Sequence, residues 1–257
     1  MASDQQLLDY VLRLADSDLI LAQRLGEWVG HGPVLEEDIA LTNVGLDLLG
    51  QARLWFALRG RGRRRASGGA GRSEDELAFM REGGGFRNLL LVEQPNGNYA
   101  DTTARQFYFD VWHELLLRNL AVSRDPRIAE IAAKALKEVM YHAERSADWV
   151  IRLGDGTELS HTRMQSAIDD LWMYTGEMFA ADDTDLALAA EGVAADVGAL
   201  LPAWRDRVAA VLDLATLTMP SAAWMQRGGK QGVHSEHLGH LLAEMQSLHR
   251  AHPGAQW

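Results

Sequence analysis

Two side chains that could bind a metal ion, Asp110 and His113, lie three positions apart in the segment RQFYFDVWHELLL, residues 105–117. The segment is rich in apolar residues and indicates a buried helix, in which positions i and i+3 share one face. A carboxylate and an imidazole in this arrangement form half of the di-iron sites found inside four-helix bundles. The spacing therefore raises the question of whether this chain carries a di-iron centre.

A complete di-iron site needs four carboxylates and two histidines, with one Glu on each of two helices and Glu-x-x-His on each of the other two. The predicted helix that carries Glu138 has Tyr141 three positions later, so His142 falls about 40° further round the helix. The predicted second helix contains no histidine. The set is incomplete, and we interpret its members as remains of a metal site in a chain that binds no metal: Glu27, Asp47, Asp110, His113, Glu138 and His142.

Two interpretations of Asp110 and His113 remain open from the residues alone. Because a buried charge must be paired or neutralised, we favour a buried pair in which the two side chains hydrogen-bond each other. In the alternative, the chain is a ferritin-like di-iron oxygenase or a metal-binding protein in its own right. Iron analysis of the purified chain would discriminate between them.

A second group of histidines, His234, His237 and His240, occurs in GVHSEHLGHLLAEM and could hold zinc. Steps of three residues drift round a helix by about 60° each, and this run crosses a predicted helix start. We therefore favour helix capping and surface packing for these side chains. Glu158 and His161 form the sequence's literal Glu-x-x-His, which we interpret as a chance match in a loop.

Composition excludes several classes of protein. The chain has 257 residues, no cysteine and a net charge of −11. Disulfides, thiolate zinc sites and cysteine-ligated iron–sulfur clusters are therefore excluded, and the negative charge argues against nucleic-acid binding. The first residues, MASDQQLLDY, do not resemble a signal peptide, and no apolar run approaches the ~18 residues of a membrane span. We expect a cytoplasmic protein that binds no membrane.

Apolar residues recur at helical spacing along the whole chain, and no strand pattern competes. Short connections between long amphipathic helices favour an antiparallel bundle, and we expect a single all-α domain over residues 1–257. The segment RGRGRRRASGGAGR indicates a flexible Arg/Gly loop at about residues 60–73. The predicted helices span residues 4–29, 36–59, 73–81, 101–123, 126–153, 160–180, 183–190, 198–216 and 235–250.

Several long blocks of the chain resemble one known family. These are RLGEWVGHGP, LTNVGLDLLGQAR, NLLLVEQPNGNYADTTARQF, AKALKEVMYH, GVHSEHLGHLLAEMQ and the terminal PGAQW. Together they are similar to the C subunit of the bacterial ring-1,2-phenylacetyl-CoA epoxidase, a phenylacetyl-CoA monooxygenase, and the similarity covers nearly the whole chain. The resemblance implies a ferritin-like four-helix bundle with additional C-terminal helices.

The resemblance also implies a role in aerobic phenylacetate catabolism, where the complex inserts one oxygen atom of O₂ into the ring of phenylacetyl-CoA. In that family the C subunit is a non-catalytic structural subunit and holds no cofactor. The di-iron centre belongs to the catalytic A subunit, and a separate reductase carries flavin and an iron–sulfur cluster. The implied partners are the A subunit and the other epoxidase components. From the apolar residues of the first two helices we expect the isolated chain to form a homodimer.

Contact with the CoA substrate is a further implication of the resemblance. Arg87 could reach a CoA phosphate and Phe86 could pack on an apolar part of the ligand. Equally, Phe86 and Asn88 could simply shape the turn in which they lie. The positions that match the family's substrate-contacting stretches are Gly85, Phe86, Arg87, Asn88, Leu186, Ala187 and Leu188.

The first two predicted helices supply more large apolar residues than a single core stripe needs. Aromatic residues are enriched in the cores of protein interfaces. We therefore expect a partner subunit to contact these helices, at a surface that contains Trp28, Leu46, Leu49 and Trp55.

Overall fold

A computed structural model describes residues 3–67 and 72–255, without the side chains of residues 60–67. Within these ranges all regular elements are helical and no β-strand occurs, which confirms the all-α prediction and agrees with a ferritin-like bundle. The α-helices are α1 (Asp4–Gly26), α2 (Leu35–Ser67), α3 (Glu74–Phe79), α4 (Tyr99–Leu120), α5 (Pro126–Gly154), α6 (Glu158–Trp172), α7 (Asp183–Ala190), α8 (Leu201–Leu214) and α9 (Glu236–Ala251).

The chain divides into two compact units. We call residues 3–94 with 228–255 the two-segment unit, because it draws on two separate parts of the sequence, and residues 95–227 the one-segment unit. The first contains α1, α2, α3 and α9, and the second contains α4 to α8. Each unit is built round one long antiparallel helix pair, α1 with α2 and α4 with α5. That the chain forms a single domain stays a prediction.

In the two-segment unit, α1 begins at a capping box in which Ser3 and Gln6 satisfy each other's backbone N–H groups. Further along α1, the buried Asp16 pairs with the guanidinium of Arg81, just beyond α3. Asp16 also accepts a hydrogen bond of 2.8 Å from the backbone N–H of Arg87. A buried carboxylate on α1 thus fixes the start of the irregular segment 83–93, which contains two short 3₁₀ turns.

Helix α2 ends eight residues beyond the end of the predicted second helix, so the expected loop at about residues 60–73 is wrong over residues 60–67. Arg, Leu and Ala are good helix formers, and isolated glycines such as Gly60 and Gly62 each cost only about 1 kcal/mol. These favourable residues therefore allow α2 to continue over residues 60–67. Residues 68–71 of the predicted loop lie outside the described residues.

In the one-segment unit, α4 is buried on nearly every side, as expected for a helix with apolar residues all round. Asn98 caps its first turn, and Pro126 opens α5 as predicted. The phenol of Tyr108 donates to the carbonyl of Ile168 on α6 at 3.0 Å. The indole of Trp204 on α8 donates to the carbonyl of Tyr108 at 3.1 Å, so α4 is tied to both helices.

Helix α6 differs from its prediction at both ends. It begins at Glu158 with Thr157 as its N-cap and ends at Trp172, because the chain turns into a 3₁₀ segment at Gly176–Phe179. His161 therefore lies in the first turn of a helix rather than in a loop. Its ring nitrogen Nδ1 is 2.7 Å from the carbonyl oxygen of Gly154, which gives this side chain a structural partner.

One close backbone approach in the two-segment unit yields a prediction. A Cβ added at Gly229 would lie 2.1 Å from the carbonyl oxygen of Asn88, whereas a Cβ at Gly239, in the middle of α9, would meet nothing within 4 Å. We expect Gly229→Ala to lower the free energy of unfolding by about 1–3 kcal/mol, as overpacking does. Gly239→Ala should raise it by about 0.5–1 kcal/mol through helix propensity. Urea denaturation of both variants measures this, and equal effects would contradict the packing argument.

Candidate functional site

The carboxyl group of Asp110 is fully buried in the one-segment unit, where α4 faces α5. Gln106, one turn earlier, donates a hydrogen bond of 2.7 Å to its Oδ1. Burial raises the pKa of Asp110 to about 6, and nearby His142, Ser146 and Arg145 on α5 oppose this shift by charge and hydrogen bonding. The polar neighbours of Asp110 are therefore a glutamine of its own helix and three side chains of α5.

His113 lies one turn beyond Asp110 among aromatic rings. Its ring centroid is 4.9 Å from that of Phe109 and 6.1 Å from that of Trp112. Burial, together with the neighbouring His142, lowers the pKa of His113 to about 3, so the imidazole is neutral at pH 7. The predicted buried setting is present, but the contacts of Asp110 are with Gln106 and α5 instead of a mutual hydrogen bond with His113.

The other candidate metal ligands are engaged or only partly buried. In the two-segment unit, Glu27 forms an ion pair of 2.9 Å with Arg24, and Asp47 is half-buried on α2. In the one-segment unit, Glu138 is half-buried on α5. Across residues 3–67 and 72–255, no group of three or more His, Asp or Glu side chains is arranged to hold a metal ion.

These surroundings do not fit a di-iron centre. A bridging carboxylate must have both oxygens open to the metals, whereas Gln106 donates a hydrogen bond to one oxygen of Asp110. Glu27 is committed to a cation.

The first stretch that the resemblance connects with substrate, residues 85–88, lies within the irregular segment 83–93 of the two-segment unit. Phe86 and Asn88 are fully buried, and the guanidinium of Arg81 lies 4.0 Å from the centroid of the Phe86 ring. Arg87 is half-buried, and its Nη1 donates to the carbonyls of Gly84 at 2.8 Å and Phe86 at 2.6 Å. Phe86 and Asn88 therefore shape the segment from inside, and Gly85 and Arg87 face partly outward.

A buried carboxylate, Glu93, holds this segment to the start of α9. Its oxygens accept hydrogen bonds from the amide of Asn88 at 2.9 Å and from the backbone N–H of Ser235 at 2.7 Å. The third contact is His234 Nδ1 at 2.8 Å. His234 Nε2 lies 3.1 Å from the carbonyl oxygen of Phe86, which can only accept, so this nitrogen carries a hydrogen. The arrangement suits an imidazolium that donates from both nitrogens to the two acceptors. We call Glu93, Asn88, His234 and Ser235 the Glu93 cluster.

The Glu93 cluster was not predicted as a unit from the sequence. Capping or surface packing was expected for the three histidines, but the side chain of His234 is almost completely buried. His240 is exposed, and the backbone carbonyl of His237 lies 3.4 Å from Arg24 Nη2. The signal that was available is an acidic residue directly after the apolar run NLLLV, because a carboxylate in such a setting requires donors.

The second stretch connected with substrate, Leu186–Leu188, lies on α7 in the one-segment unit. Leu186 is exposed, Ala187 is half-buried and Leu188 points into the core. Of the three, Leu186 presents the largest accessible apolar surface.

Comparison with known proteins places this chain in a family. A family model described as "phenylacetic acid catabolic protein" matches residues 1–257. The chain belongs to this family. A relative within the curated proteins is the C subunit of the 1,2-phenylacetyl-CoA epoxidase of Escherichia coli (strain K12), which is 52% identical over 256 residues, covering 98% of this chain and 99% of that protein. The predicted resemblance to that protein is thereby confirmed.

The name of the relative identifies it as one subunit of a larger epoxidase. In this member of the phenylacetic acid catabolic protein family, no helix of the described ranges combines the length and apolar character needed to cross a membrane.

The buried carboxyl group of Asp110 gives a pH prediction. Its folded pKa of about 6 exceeds the ordinary value of 3.8, so the folded state holds this proton more tightly than the unfolded state does. The stability that it contributes is complete below about pH 4 and is lost as the pH rises through 6. Relative to Asp110→Asn, the unfolding free energy of the wild type should therefore fall by on the order of 3 kcal/mol between pH 4 and pH 7.

Urea denaturation at several pH values measures this difference. Asp148→Asn is the matched control, because Asp148 is an exposed aspartate on α5. A difference between wild type and Asp110→Asn that stays constant with pH would contradict the assigned environment.

The Glu93 cluster gives a second prediction. Glu93→Ala removes the acceptor of a buried pair and leaves His234 and Asn88 without it, so we expect a loss of roughly 3–5 kcal/mol in unfolding free energy. Glu82→Ala is the control, because Glu82 lies in the neighbouring turn and pairs with Arg250 at the surface. The control should lose less than about 1 kcal/mol. Comparable losses in the two variants, measured by chemical denaturation, would argue against the cluster as a stabilising element.

Proposed function

We propose that this chain is a structural, non-catalytic subunit of an epoxidase that acts on phenylacetyl-CoA in aerobic phenylacetate catabolism. The observation that carries the proposal is the 52% identity, over nearly the full length of both chains, to a protein named as the C subunit of such an enzyme. The environments of Asp110 and Glu27 support the non-catalytic part, because both carboxylates are engaged by protein groups.

The redox chemistry would belong to other chains of the complex. A catalytic A subunit would hold the di-iron centre, and a separate reductase would supply electrons through flavin and an iron–sulfur cluster. Residues of this chain would hold and support the A subunit, and the assembled complex would work in the cytoplasm. The contribution of this chain is then to packing and, through residues 85–88 and 186–188, to the setting of the CoA substrate.

The residues proposed to contact the substrate differ in how far they are buried. Phe86, Asn88 and Leu188 are buried and would act by holding their neighbours in place. Gly85, Arg87 and Leu186 have accessible surface, so we propose that they are the groups that reach a ligand. Arg87 would have to exchange a carbonyl contact for a phosphate contact, which a charge-assisted hydrogen bond favours.

A row of exposed apolar side chains on α2 supports a contact with another subunit. Leu35, Ile39, Leu46 and Leu49 are 72%, 52%, 59% and 39% exposed, and their spacing places them on one face of the helix. We call these four residues the α2 stripe. Leu46 and Leu49 also line a surface groove of about 220 Å³ between α1 and α2. An apolar surface of this kind is typical of a protein interface.

The predicted contact surface needs one correction. Trp55 is completely buried beside the Asp18 carboxyl group, so it belongs to the core between α1 and α2 and cannot contact a partner. Trp28 is half-buried. Leu46 and Leu49 are exposed as the prediction requires, and the sequence did not single out Leu35 and Ile39.

Co-expression with an A-type subunit tests the proposed function directly. We expect the two chains to elute together in gel filtration, with an interface above ~2,000 Å² as in permanent complexes. Epoxidation of phenylacetyl-CoA by the A subunit and reductase should require this chain. Full turnover without it would refute the structural role, and stoichiometric iron in the isolated chain would favour the alternative of a di-iron protein in its own right.

The α2 stripe yields a separate prediction. Leu46→Asp combined with Leu49→Asp should abolish co-elution with the A subunit, because charges would be buried in an apolar contact. Leu214→Asp on α8 is the control, since Leu214 is 65% exposed outside the stripe. Circular dichroism should show that all variants fold. Unchanged assembly of the stripe variant would move the interface to another surface, and the same loss in the control would make the effect nonspecific.

A further inference from the structure

A pocket of about 440 Å³ lies in the one-segment unit, between the end of α6, the start of α8 and the irregular segment 221–227. It is distinct from both stretches that the resemblance connects with substrate. Its volume is within the range of small-molecule sites. Two hydrogen bonds fix its walls: the indole of Trp172 donates to the carbonyl of Ala222 at 3.0 Å, and the backbone N–H of Gln226 donates to the carbonyl of Met173 at 2.8 Å.

The larger part of the pocket's lining is apolar. The polar groups of the aromatic residues beneath it are already satisfied, since Trp172 donates to Ala222 and Trp204 donates to Tyr108. The rings of Trp172 and Trp204 therefore offer a ligand apolar surface and no free hydrogen-bonding group, and the polar side chains of the lining are Thr175, Ser221, Arg205 and Arg227. The apolar lining comes from Trp172, Phe179, Leu201, Trp204 and Met225.

Two cations line the same pocket. Arg205 and Arg227 are both exposed, and neither forms an ion pair with a carboxylate of the described residues. Arg205 lies 6.0 Å from the ring centroid of Trp172, which holds its guanidinium over the aromatic floor. The chain has a net charge of −11, with 36 acidic residues for 25 basic ones. Two guanidiniums without carboxylate partners beside one apolar pocket are therefore suited to an anion from outside the protein.

We propose that this pocket binds a small aromatic carboxylate, with its ring on the apolar floor and its carboxylate at Arg205 and Arg227. Guanidinium groups bind carboxylates through charge-assisted hydrogen bonds, and an apolar lining favours a ring over a hydrated inorganic ion. A volume of 440 Å³ accommodates a single-ring acid but leaves little room for a complete coenzyme A thioester. The site concerns the free acid and does not depend on the proposed assembly.

Ligand-observed NMR with the full chain tests the proposal, using phenylacetate as the probe. We expect saturable binding that the double variant Arg205→Gln/Arg227→Gln weakens by at least about tenfold, the effect of losing one charge-assisted hydrogen bond. Arg163→Gln is the matched control, because Arg163 is an exposed arginine of the same unit that does not line the pocket. It should bind the probe like the wild type.

Competition with acetate and with inorganic phosphate tests whether the aromatic ring of the ligand contributes to binding in addition to its negative charge. Both should fail to displace phenylacetate at equal concentration, since neither can occupy the apolar floor. Displacement by either one would overturn the aromatic part of the proposal and leave a plain anion site. No saturable binding of phenylacetate, or the same loss in Arg163→Gln as in the double variant, would overturn the pocket itself. Thermal melts of all variants check that each chain remains folded.

Discussion

The buried carboxylate of Glu93 is the constraint on which the two-segment unit depends. Three donors surround it, from Asn88, His234 and Ser235, and they come from parts of the sequence that lie far apart. An unpaired carboxylate in the same place would cost several kcal/mol, so the 83–93 segment and the start of α9 must come together or the unit does not close. The irregular segment 83–93 owes its shape to this requirement and to the pairing of Asp16 with Arg81.

The same requirement takes a different form in the one-segment unit. Burial favours the protonated form of Asp110 and the neutral form of His113. The two pKa shifts therefore make the unfolding free energy change with pH in opposite directions. The contribution of Asp110 falls as the pH rises through 6, whereas that of His113 is present above about pH 6.5 and is lost in acid. Residues that resemble metal ligands in type and spacing thus set the pH range in which α4 and α5 pack best.

The sequence predicted the helices well, because the periodicity of apolar residues and the punctuation by Gly and Pro are local signals. α7 was predicted to the residue, and α5 within one residue at its C-terminus. The end of α2 was missed because two glycines suggested a loop, although the arginines around them favour helix. The partners of buried polar groups could not be predicted from the sequence. The contacts of Asp110 with Gln106 and α5, and of Glu93 with His234, depend on tertiary packing. The burial of Trp55 was missed for the same reason.

Glu93 and His234 are separated by 141 residues of sequence. During synthesis the whole one-segment unit, residues 95–227, leaves the ribosome between them. While these 133 residues are added, the Glu93 carboxylate lacks the hydrogen-bond donors of His234 and Ser235. Closing so long a loop is slow, and incomplete cores of this kind are prone to aggregation. The nascent chain is therefore most vulnerable before residues 228–236 emerge, and this is the interval in which a chaperone, or an early encounter with a partner subunit, has the most to protect.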